Sequence, residues 1–422
     1  MLRAAAPGDN RASKNEGAPG KRAKGENMET NTPSWASDTE PSVMEPRERP
    51  LEIRFTGSGS EYFRIWIVNL LLSIVTLSLY RPWAKVRRLR YFYANTLVDG
   101  HALDFHGNPW KMLRGYVLVG AMLVCYSVAG RFSAMAAMVA ILILAVLWPA
   151  LLRASMQFRL ANTSWRGLRF RFNGTLGGAY RGMLPLFVPA LAMAAVRFEL
   201  VDPQHPTMAY IKHIYAVMGL TLLVAPLMWW MFKRYQHDHY AIGQWQTRLD
   251  IGPGDAYWLA LRIFGVSVLS IIVVAVIVAI VGAVAGGVGM VTGFGGNKVV
   301  AFILIMALVL VAYMLALMVP VPYAMARGQD LVWNHTRCDE VSFKSLLRFE
   351  DMFKLTFKNW ALMLLTLGLY YPFAAVSLYR LRVEAITPQL SGNLDQLQAQ
   401  GAGVSDASGD AAGDLFGIDI GL

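Results

Sequence analysis

The sequence predicts an all-α multi-pass membrane protein with internal repeats, in which short cytoplasmic β-strands or hairpins lie between the helices. Hydrophobic residues make up 55% of the 422 residues and charged residues only 16%, which is less charge than a soluble surface normally carries. Apolar stretches alternate with short basic connections, and one long motif occurs twice. These observations exclude an ordinary soluble globular protein.

Eight apolar stretches have about the length of a membrane span, since a helix needs roughly 20 apolar residues to cross the hydrocarbon core. Almost no ionisable side chain lies within them, and Trp and Tyr crowd their ends, as expected for anchoring at the membrane interface. The stretches cover residues 62–80, 115–130, 133–152, 183–196, 211–232, 263–285, 299–319 and 360–371.

The distribution of Arg and Lys predicts the orientation of these stretches. Basic residues concentrate in the connections after the first, third, fifth and seventh stretches, and the other connections hold few. Because cytoplasmic loops carry an excess of Lys and Arg, the four basic connections are expected in the cytoplasm. The same loops account for the net charge of +11, so we expect a multi-pass protein of the bacterial inner membrane and no nucleic-acid partner.

The composition changes at both ends of the apolar region. Residues 1–50 are rich in Pro, Gly, Ser and Asn with balanced charge, and residues 389–422 are rich in Gly, Ala and Asp without Lys or Arg. Both compositions are typical of disorder. We therefore predict a disordered N-terminal tail, a repeat-containing transmembrane domain at 51–388, and a disordered acidic C-terminal tail.

One motif occurs near each end of the transmembrane domain. Asn, Thr, Tyr and Pro recur in the same order and spacing, and the repeated positions of highest interest are Tyr80, Pro82, Trp83, Tyr370 and Pro372. Matching polar residues lie at membrane depth in both copies, at Asn69, Thr76, Asn359 and Thr366. They are either helix–helix hydrogen-bonding residues or a candidate intramembrane polar site between two broken segments, as in many transporters.

A second pattern runs through the basic connections. Each of four prolines is followed 13 residues later by Asn or His, at positions 95, 162, 239 and 335, whose side chains we expect to cap a turn. Short alternating segments follow or precede the spans at 51–57, 103–107, 168–174, 245–252 and 340–344. Alternation with period two predicts strands, and because open strand edges cannot face lipid, these strands are expected to pair with one another.

The strand at 51–57 conflicts with a simple crossing by the first stretch. The strand and the basic cluster after the first stretch are both expected in the cytoplasm, and the last stretch presents the same conflict. Either both terminal stretches cross, giving eight crossings, or both are re-entrant, giving six. We favour the re-entrant version with cytoplasmic tails, because no export signal precedes the polar N-terminal tail and re-entrant segments are tolerated inside protein.

The first copy of the motif reads Asn69-x2-Leu72-x3-Thr76-Leu77-x2-Tyr80-x-Pro82-Trp83-Ala84-x2-Arg87. It resembles the motif of the YjgN-like bacterial inner-membrane proteins, catalogued as domain of unknown function 898, over roughly residues 51–388. Ser78 stands where the family usually has Gly, and the second copy has Ala375 and Ser377 in place of basic residues. The resemblance implies a multi-pass inner-membrane protein and assigns no activity, catalytic residue or cofactor.

A basic helix follows the first copy and is expected to lie at the membrane surface. Its candidate contacts to anionic lipid headgroups are Lys85, Arg87, Arg88 and Arg90. No arrangement of residues predicts an enzyme, a metal site or a cofactor. The sequence leaves two functions open: a transporter or channel for an unidentified small solute, or a non-enzymatic envelope or scaffold protein that binds anionic lipid or partner proteins. Membrane lipids are expected partners in both cases, and no oligomeric state is predicted.

Overall fold

The computed structural model describes residues 49–198, 208–292 and 298–391, which are mostly helical. The helices of this part of the chain are α1 Gly59–Val75, α2 Arg81–Ala94, α3 Pro109–Phe132, α4 Ala134–Ala161, α5 Leu176–Phe198, α6 Met208–His237, α7 Pro253–Thr292, α8 Lys298–Leu317, α9 Pro320–Asn334, α10 Phe349–Leu365 and α11 Tyr371–Glu384. Its strands are β1 Arg49–Pro50, β2 Ile53–Phe55, β3 Thr96–Val98, β4 His101–Phe105, β5 Thr163–Trp165, β6 Leu168–Phe172, β7 Tyr240–Ile242, β8 Trp245–Gln246, β9 Arg248–Leu249, β10 Thr336–Arg337, β11 Val341–Ser345 and β12 Ile386–Leu390.

In the described residues, a strand, a helical hairpin and a second strand follow one another five times. We number these segments 1 to 5, and their helical hairpins are α1–α2, α3–α4, α5–α6, α7 with α8–α9, and α10–α11. In every segment the strand before the hairpin pairs antiparallel with the strand after it. Each hairpin therefore leaves the strands and returns to them.

The strands form two antiparallel sheets, ordered β1-β12-β11-β10-β9 and β2-β3-β4-β5-β6-β7-β8. The sheets are continuous with each other, because two residues separate β1 from β2 and Thr247 alone separates β8 from β9. Backbone hydrogen bonds continue through both junctions, from Leu51 N to Pro388 O and from Thr247 N to Tyr240 O, each 2.8 Å long. The strands therefore close into one ring, which leaves no open sheet edge in the described part of the chain.

Apolar side chains fill the interior of this strand ring. Leu51, Trp165 and Leu390 are buried there. Residues from β3, β4, β6, β7, β8 and β11 pack against the three, namely Val98, Leu103, Phe170, Ile242, Trp245 and Val341. Since strands from all around the ring contribute, this cluster closes the ring at its centre.

Strands are present at all five predicted positions. Four of them begin and end within two residues of the predicted bounds, and the segment predicted at 245–252 is two short strands that end at Leu249. The all-α description was too narrow, because the strands join into extended antiparallel sheets rather than isolated hairpins. The boundaries at 51 and 388 fall inside a sheet, since Arg49 pairs with Leu390 and Pro50 with Gln389. The remainder of both predicted tails, residues 1–48 and 392–422, lies outside the described residues.

Among the described residues, five segments are long and apolar enough to cross a membrane: Pro109–Phe132, Met135–Ala161, Met208–His237, Pro253–Ala283 and Ile305–Asn334. The first, fourth and last predicted stretches, which begin within α1, α5 and α10, are not among these five. α1 and α10 each have 17 residues, which corresponds to about 26 Å, and a tight turn then reverses the chain. Leu77 and Ser78 in one turn, and Leu367 and Gly368 in the other, adopt positive φ.

Candidate functional site

The helical hairpins are arranged in a ring like the strands that carry them. Helices of neighbouring segments contact each other, α2 with α3, α4 with α5, α6 with α7, α9 with α10, and α11 with α1. A cavity of about 750 Å³ lies inside this bundle, lined by residues of all five segments. It is the candidate functional site, because ligand sites are typically concave, largely apolar and furnished with a few polar groups.

Two arginines lie at the end of the cavity nearest the strands. Arg159 is two residues before the end of α4, and Arg382 two residues before the end of α11. Gln329 fixes Arg382 through two hydrogen bonds, accepting from Nε at 2.9 Å and donating Nε2 to the carbonyl oxygen at 2.8 Å. This arrangement holds the guanidinium plane and leaves its two terminal nitrogens without a protein partner in the described part of the chain.

Burial shapes the chemistry of this polar end. The Arg382 side chain faces the cavity, yet the surrounding atoms lower the pKa of its guanidinium by desolvation, and an arginine stays charged in proteins. Desolvation also raises the pKa of Tyr379 to about 12 and raises the pKa of Tyr240. Both phenols line the cavity and remain protonated at neutral pH. The Tyr379 hydroxyl donates to Thr96 Oγ1 at 3.0 Å, because the Thr96 hydroxyl itself donates to the Phe92 carbonyl oxygen, so Tyr240 is the phenol available to donate to a ligand.

A third cation lies beside the two arginines. The Lys233 ammonium donates a hydrogen bond to Gln236 Oε1 at 3.1 Å and lies within electrostatic range of Arg382 and Arg159. No Asp or Glu is found among the described residues that line the cavity. The polar end of the cavity is therefore suited to an anion.

The opposite end of the cavity is apolar. Its lining includes Trp360 and Met363 near the end of α10, Val321 and Met325 on α9, and Tyr371 at the first position of α11. Met363 and Tyr371 lie next to the turn at which the last hairpin reverses. The cavity thus runs along the hairpin, from a cationic end at the strands to an apolar end at the turn.

The structure separates the four residues of the predicted intramembrane polar site. Asn359 lines the cavity, and its Nδ2 donates to Ser377 Oγ at 3.2 Å, which joins α10 to α11. Asn69 is buried, and its Oδ1 has no hydrogen-bond partner in the described part of the chain. Asn69 does not line the cavity, and neither do Thr76 and Thr366.

Thr76 and Thr366 close the turns of the two short hairpins. Each hydroxyl donates to the carbonyl oxygen four residues earlier at 2.7 Å and accepts a hydrogen bond from a backbone N–H four residues later, at 3.1 Å from Tyr80 and 3.0 Å from Tyr370. These contacts give both threonines a role in chain reversal.

The other motif residues surround the same turns. Pro82 and Pro372 are fully buried at the second positions of α2 and α11, where proline does not disturb a helix. Tyr80 stacks on Trp83 with ring centroids 6.0 Å apart. Tyr370 stacks on Phe373 at 5.4 Å.

The predicted headgroup contacts on α2 point in different directions. Arg87 and Arg88 are exposed. Arg90 is exposed as well, but it also donates to the carbonyl oxygen of Gly107 at 3.4 Å. The ammonium of Lys85 is buried. Only part of the predicted basic surface therefore faces outwards.

The predicted turn-capping residues are confirmed. Asn95 and Asn162 donate side-chain N–H groups to the carbonyl oxygen four residues earlier at 2.8 and 2.7 Å. The Nδ1 atoms of His239 and His335 form the equivalent hydrogen bond, each at 2.8 Å. Among the described residues, no group of three or more His, Cys, Asp or Glu is placed to hold a metal ion.

Sequence reasoning did not single out Arg159, Arg382 or Gln329. Arg159 belongs to the basic connection after the third stretch, and no motif in the sequence includes Arg382 or Gln329. Both arginines lie near the end of a returning helix, and this position can be recognised in the sequence. It does not indicate which arginine side chains point into the cavity.

The sequence matches the family described as "bacterial protein of unknown function (DUF898)" over residues 50–415. It is 31% identical to the inner membrane protein YjgN of Escherichia coli K12 over 150 residues, which cover 34% of this chain and 37% of that protein. It is 28% identical to the YjgN of Salmonella typhimurium LT2 over 176 residues, which cover 40% and 42%. These matches span less than half of the length of either relative, and no solved structure matches the chain.

Proposed function

The chain belongs to the family of bacterial proteins of unknown function DUF898, and we propose that this inner-membrane protein binds an anionic ligand in its central cavity. The observation that carries the proposal is Arg382, whose guanidinium is held in plane by Gln329 and faces a cavity whose described lining contains no carboxylate. Such a fixed guanidinium suits the planar, two-pronged recognition of a carboxylate or phosphate. Arg159 and the nearby Lys233 add positive charge to the same end.

A six-crossing topology is part of this proposal. Every hairpin starts and ends at the strand ring, so the long hairpins of segments 2, 3 and 4 each supply two crossings. The 17-residue helices α1 and α10 are shorter than the roughly 30 Å hydrocarbon core requires, and their hairpins are re-entrant. The positive-inside bias places the strand ring and its basic helix ends in the cytoplasm.

The five segments are copies of one repeated unit in this account. The Asn or His cap and the hydroxyl of the following Thr support this, because Thr96, Thr163 and Thr336 all donate to the carbonyl oxygen four residues earlier at 2.7 Å. The same hydrogen bond at the same place in three segments is expected if they share one origin.

Ligand binding explains the structure better than a channel for a small solute does. The apolar cluster around Trp165 fills the strand ring, so the cavity is closed at the end nearest the strands. A continuous aqueous path would have to displace this packed core. Of the two functions that the sequence leaves open, we therefore favour the second, a non-enzymatic envelope protein, and we propose that it binds an anion.

Binding of glycerol 3-phosphate to the purified full-length protein in detergent tests the proposal. We expect saturable binding by isothermal titration calorimetry, weakened about tenfold or more in Arg382→Gln, because a hydrogen bond to a charged group contributes roughly 1.5–3 kcal/mol. Arg337→Gln is the matched control, since Arg337 forms an exposed ion pair with Asp250 and does not line the cavity. Absence of binding to the wild-type protein, or equal affinity in Arg382→Gln, contradicts the proposal.

A further inference from the structure

The helices on one side of the bundle are shorter than those on the other side. The helices of the two short hairpins have 14–17 residues, or at most about 26 Å. By contrast α4 has 28 residues and α6 has 30, which corresponds to about 42–45 Å. The partner helices α3 and α5 have 24 and 23 residues. Since all hairpins begin at the same strand ring, the long hairpins extend beyond the short ones by roughly 10–20 Å.

The two short hairpins are neighbours in the ring. α11 of segment 5 packs against α1 of segment 1. The two short hairpins, α1–α2 and α10–α11, therefore lie side by side and leave one gap in the bundle beyond their turns. With the strand ring at the cytoplasmic face, this gap opens to the hydrocarbon region of the bilayer, not to water.

Apolar side chains line the rim of the gap. Leu77 is 88% exposed and Leu367 is 94% exposed at the two turns. Leu365 and Leu369 are also exposed beside them. Such a concentration of exposed leucine at a hairpin tip is stable only in contact with lipid or another apolar surface.

The central cavity reaches this rim. Met363 and Tyr371 line the cavity and lie beside the turn of the last hairpin, and Tyr371 is 43% exposed. From there the lining passes Trp360 and Met325 and ends at Arg382 and Arg159. One continuous space thus joins the lipid-facing gap to the buried cations.

We propose that the ligand of the cavity is an anionic membrane lipid, which reaches the cavity sideways over the two short hairpins. Its headgroup phosphate lies at Arg382 and Arg159, and an acyl chain lies along Trp360 and Met363. This assignment rests on the proposed anion-binding function and adds the apolar half of the ligand. A soluble anion would use the polar end alone and would leave the apolar end without a role.

Native mass spectrometry of the full-length protein, delipidated and then titrated with phosphatidylglycerol or phosphatidylethanolamine, tests this inference. We expect one phosphatidylglycerol per chain and weaker binding of the zwitterionic phosphatidylethanolamine. Arg382→Gln and Met363→Gln should each reduce phosphatidylglycerol binding about tenfold. Leu364→Gln and Arg337→Gln are the controls and should retain it, because Leu364 is the outward-facing neighbour of Met363.

Glycerol 3-phosphate separates the failure of this inference from the failure of the proposed function. A melting temperature of Met363→Gln equal to that of Leu364→Gln shows that the variant is folded. If the wild-type protein binds glycerol 3-phosphate but no phosphatidylglycerol, or if Met363→Gln has no effect on the lipid, the lipid assignment is wrong and the anion site stands. If neither compound binds, both proposals are wrong.

Discussion

Three strands end in an aromatic residue followed two positions later by glycine, and the reason is steric. A Cβ atom at Gly57, Gly107 or Gly174 would lie 2.4–2.6 Å from the ring of Phe55, Phe105 or Phe172. The carbonyl oxygens of the same glycines accept hydrogen bonds from arginines of the returning helices, Arg380 at 2.7 Å, Arg90 at 3.4 Å and Arg153 at 2.7 Å. Each glycine thus lets the backbone approach both its own phenylalanine and an arginine.

Gly174→Ala should lower the melting temperature of the protein in detergent. The added methyl group would strike the Phe172 ring at 2.4 Å and the Tyr235 hydroxyl at 2.6 Å, and overpacking of this kind typically costs about 1–3 kcal/mol. Gly177→Ala is the control, since its Cβ would meet open space in α5 and alanine is favoured in a helix by about 1 kcal/mol. Equal melting temperatures for the two variants would contradict the steric explanation.

Local polar contacts were predictable at this scale, and the cavity was not. The capping roles of His239 and His335 follow from their place in a repeated spacing, because such a hydrogen bond reaches only four residues along the chain. The position of Arg159 and Arg382 in the lining of one cavity depends on how the last segment packs against the others. No spacing in the sequence encodes that arrangement.

At the scale of the element, tight turns decide how strands of successive segments are joined. Asp99 and Gly100 both have positive φ, as do Arg166 and Gly167, which is the backbone of a two-residue type I′ turn. Glycine adopts this conformation readily, but arginine does so at a cost. The second turn therefore carries strain that the Asn-Gly sequence would avoid.

Arg166→Asn should stabilise the strand ring, and Gly167→Ala should destabilise it. Asn tolerates positive φ better than Arg, with an expected gain of roughly 0.5–1 kcal/mol, whereas a side chain at the second position is disfavoured by about 1–2 kcal/mol. Differential scanning fluorimetry of the purified variants measures both. Destabilisation by Arg166→Asn would indicate that contacts of the arginine side chain outweigh the backbone strain.

The positions of strands and helices followed from sequence patterns, whereas their assembly did not. Alternating segments such as Leu168–Phe172 predicted strands, and this was confirmed. Their closure into a ring was missed, because it requires Arg49–Pro50 at one end of the domain to pair with β12 at the other. Pairing between such distant segments leaves no local trace in the sequence.

At the scale of the whole molecule, the ring holds both ends of the transmembrane domain beside the connections between segments, which is the cytoplasmic side in the topology that we propose. Arg49 Nη2 lies 2.9 Å from Asp99 Oδ1, so the start of the domain and the first connection between segments face the same compartment. This is the contact that distinguishes the six-crossing from the eight-crossing topology.

Cysteine labelling in intact cells tests that topology. Single cysteines replacing Arg49 and Asp99, introduced after replacement of Cys125 and Cys338, should react with a membrane-impermeant maleimide only after the inner membrane is permeabilised. A cysteine replacing Ser133, between α3 and α4, should react from outside. Labelling of the Arg49→Cys protein from outside would show that the first stretch crosses the membrane.

A structure of the wild-type protein in nanodiscs that contain phosphatidylglycerol tests most directly whether the cavity holds an anionic lipid. We expect elongated density with a phosphate within hydrogen-bond distance of Arg382 and a chain passing Trp360 towards the gap above the short hairpins. A cavity filled only with water, with lipid density confined to the outer surface of the bundle, would contradict it.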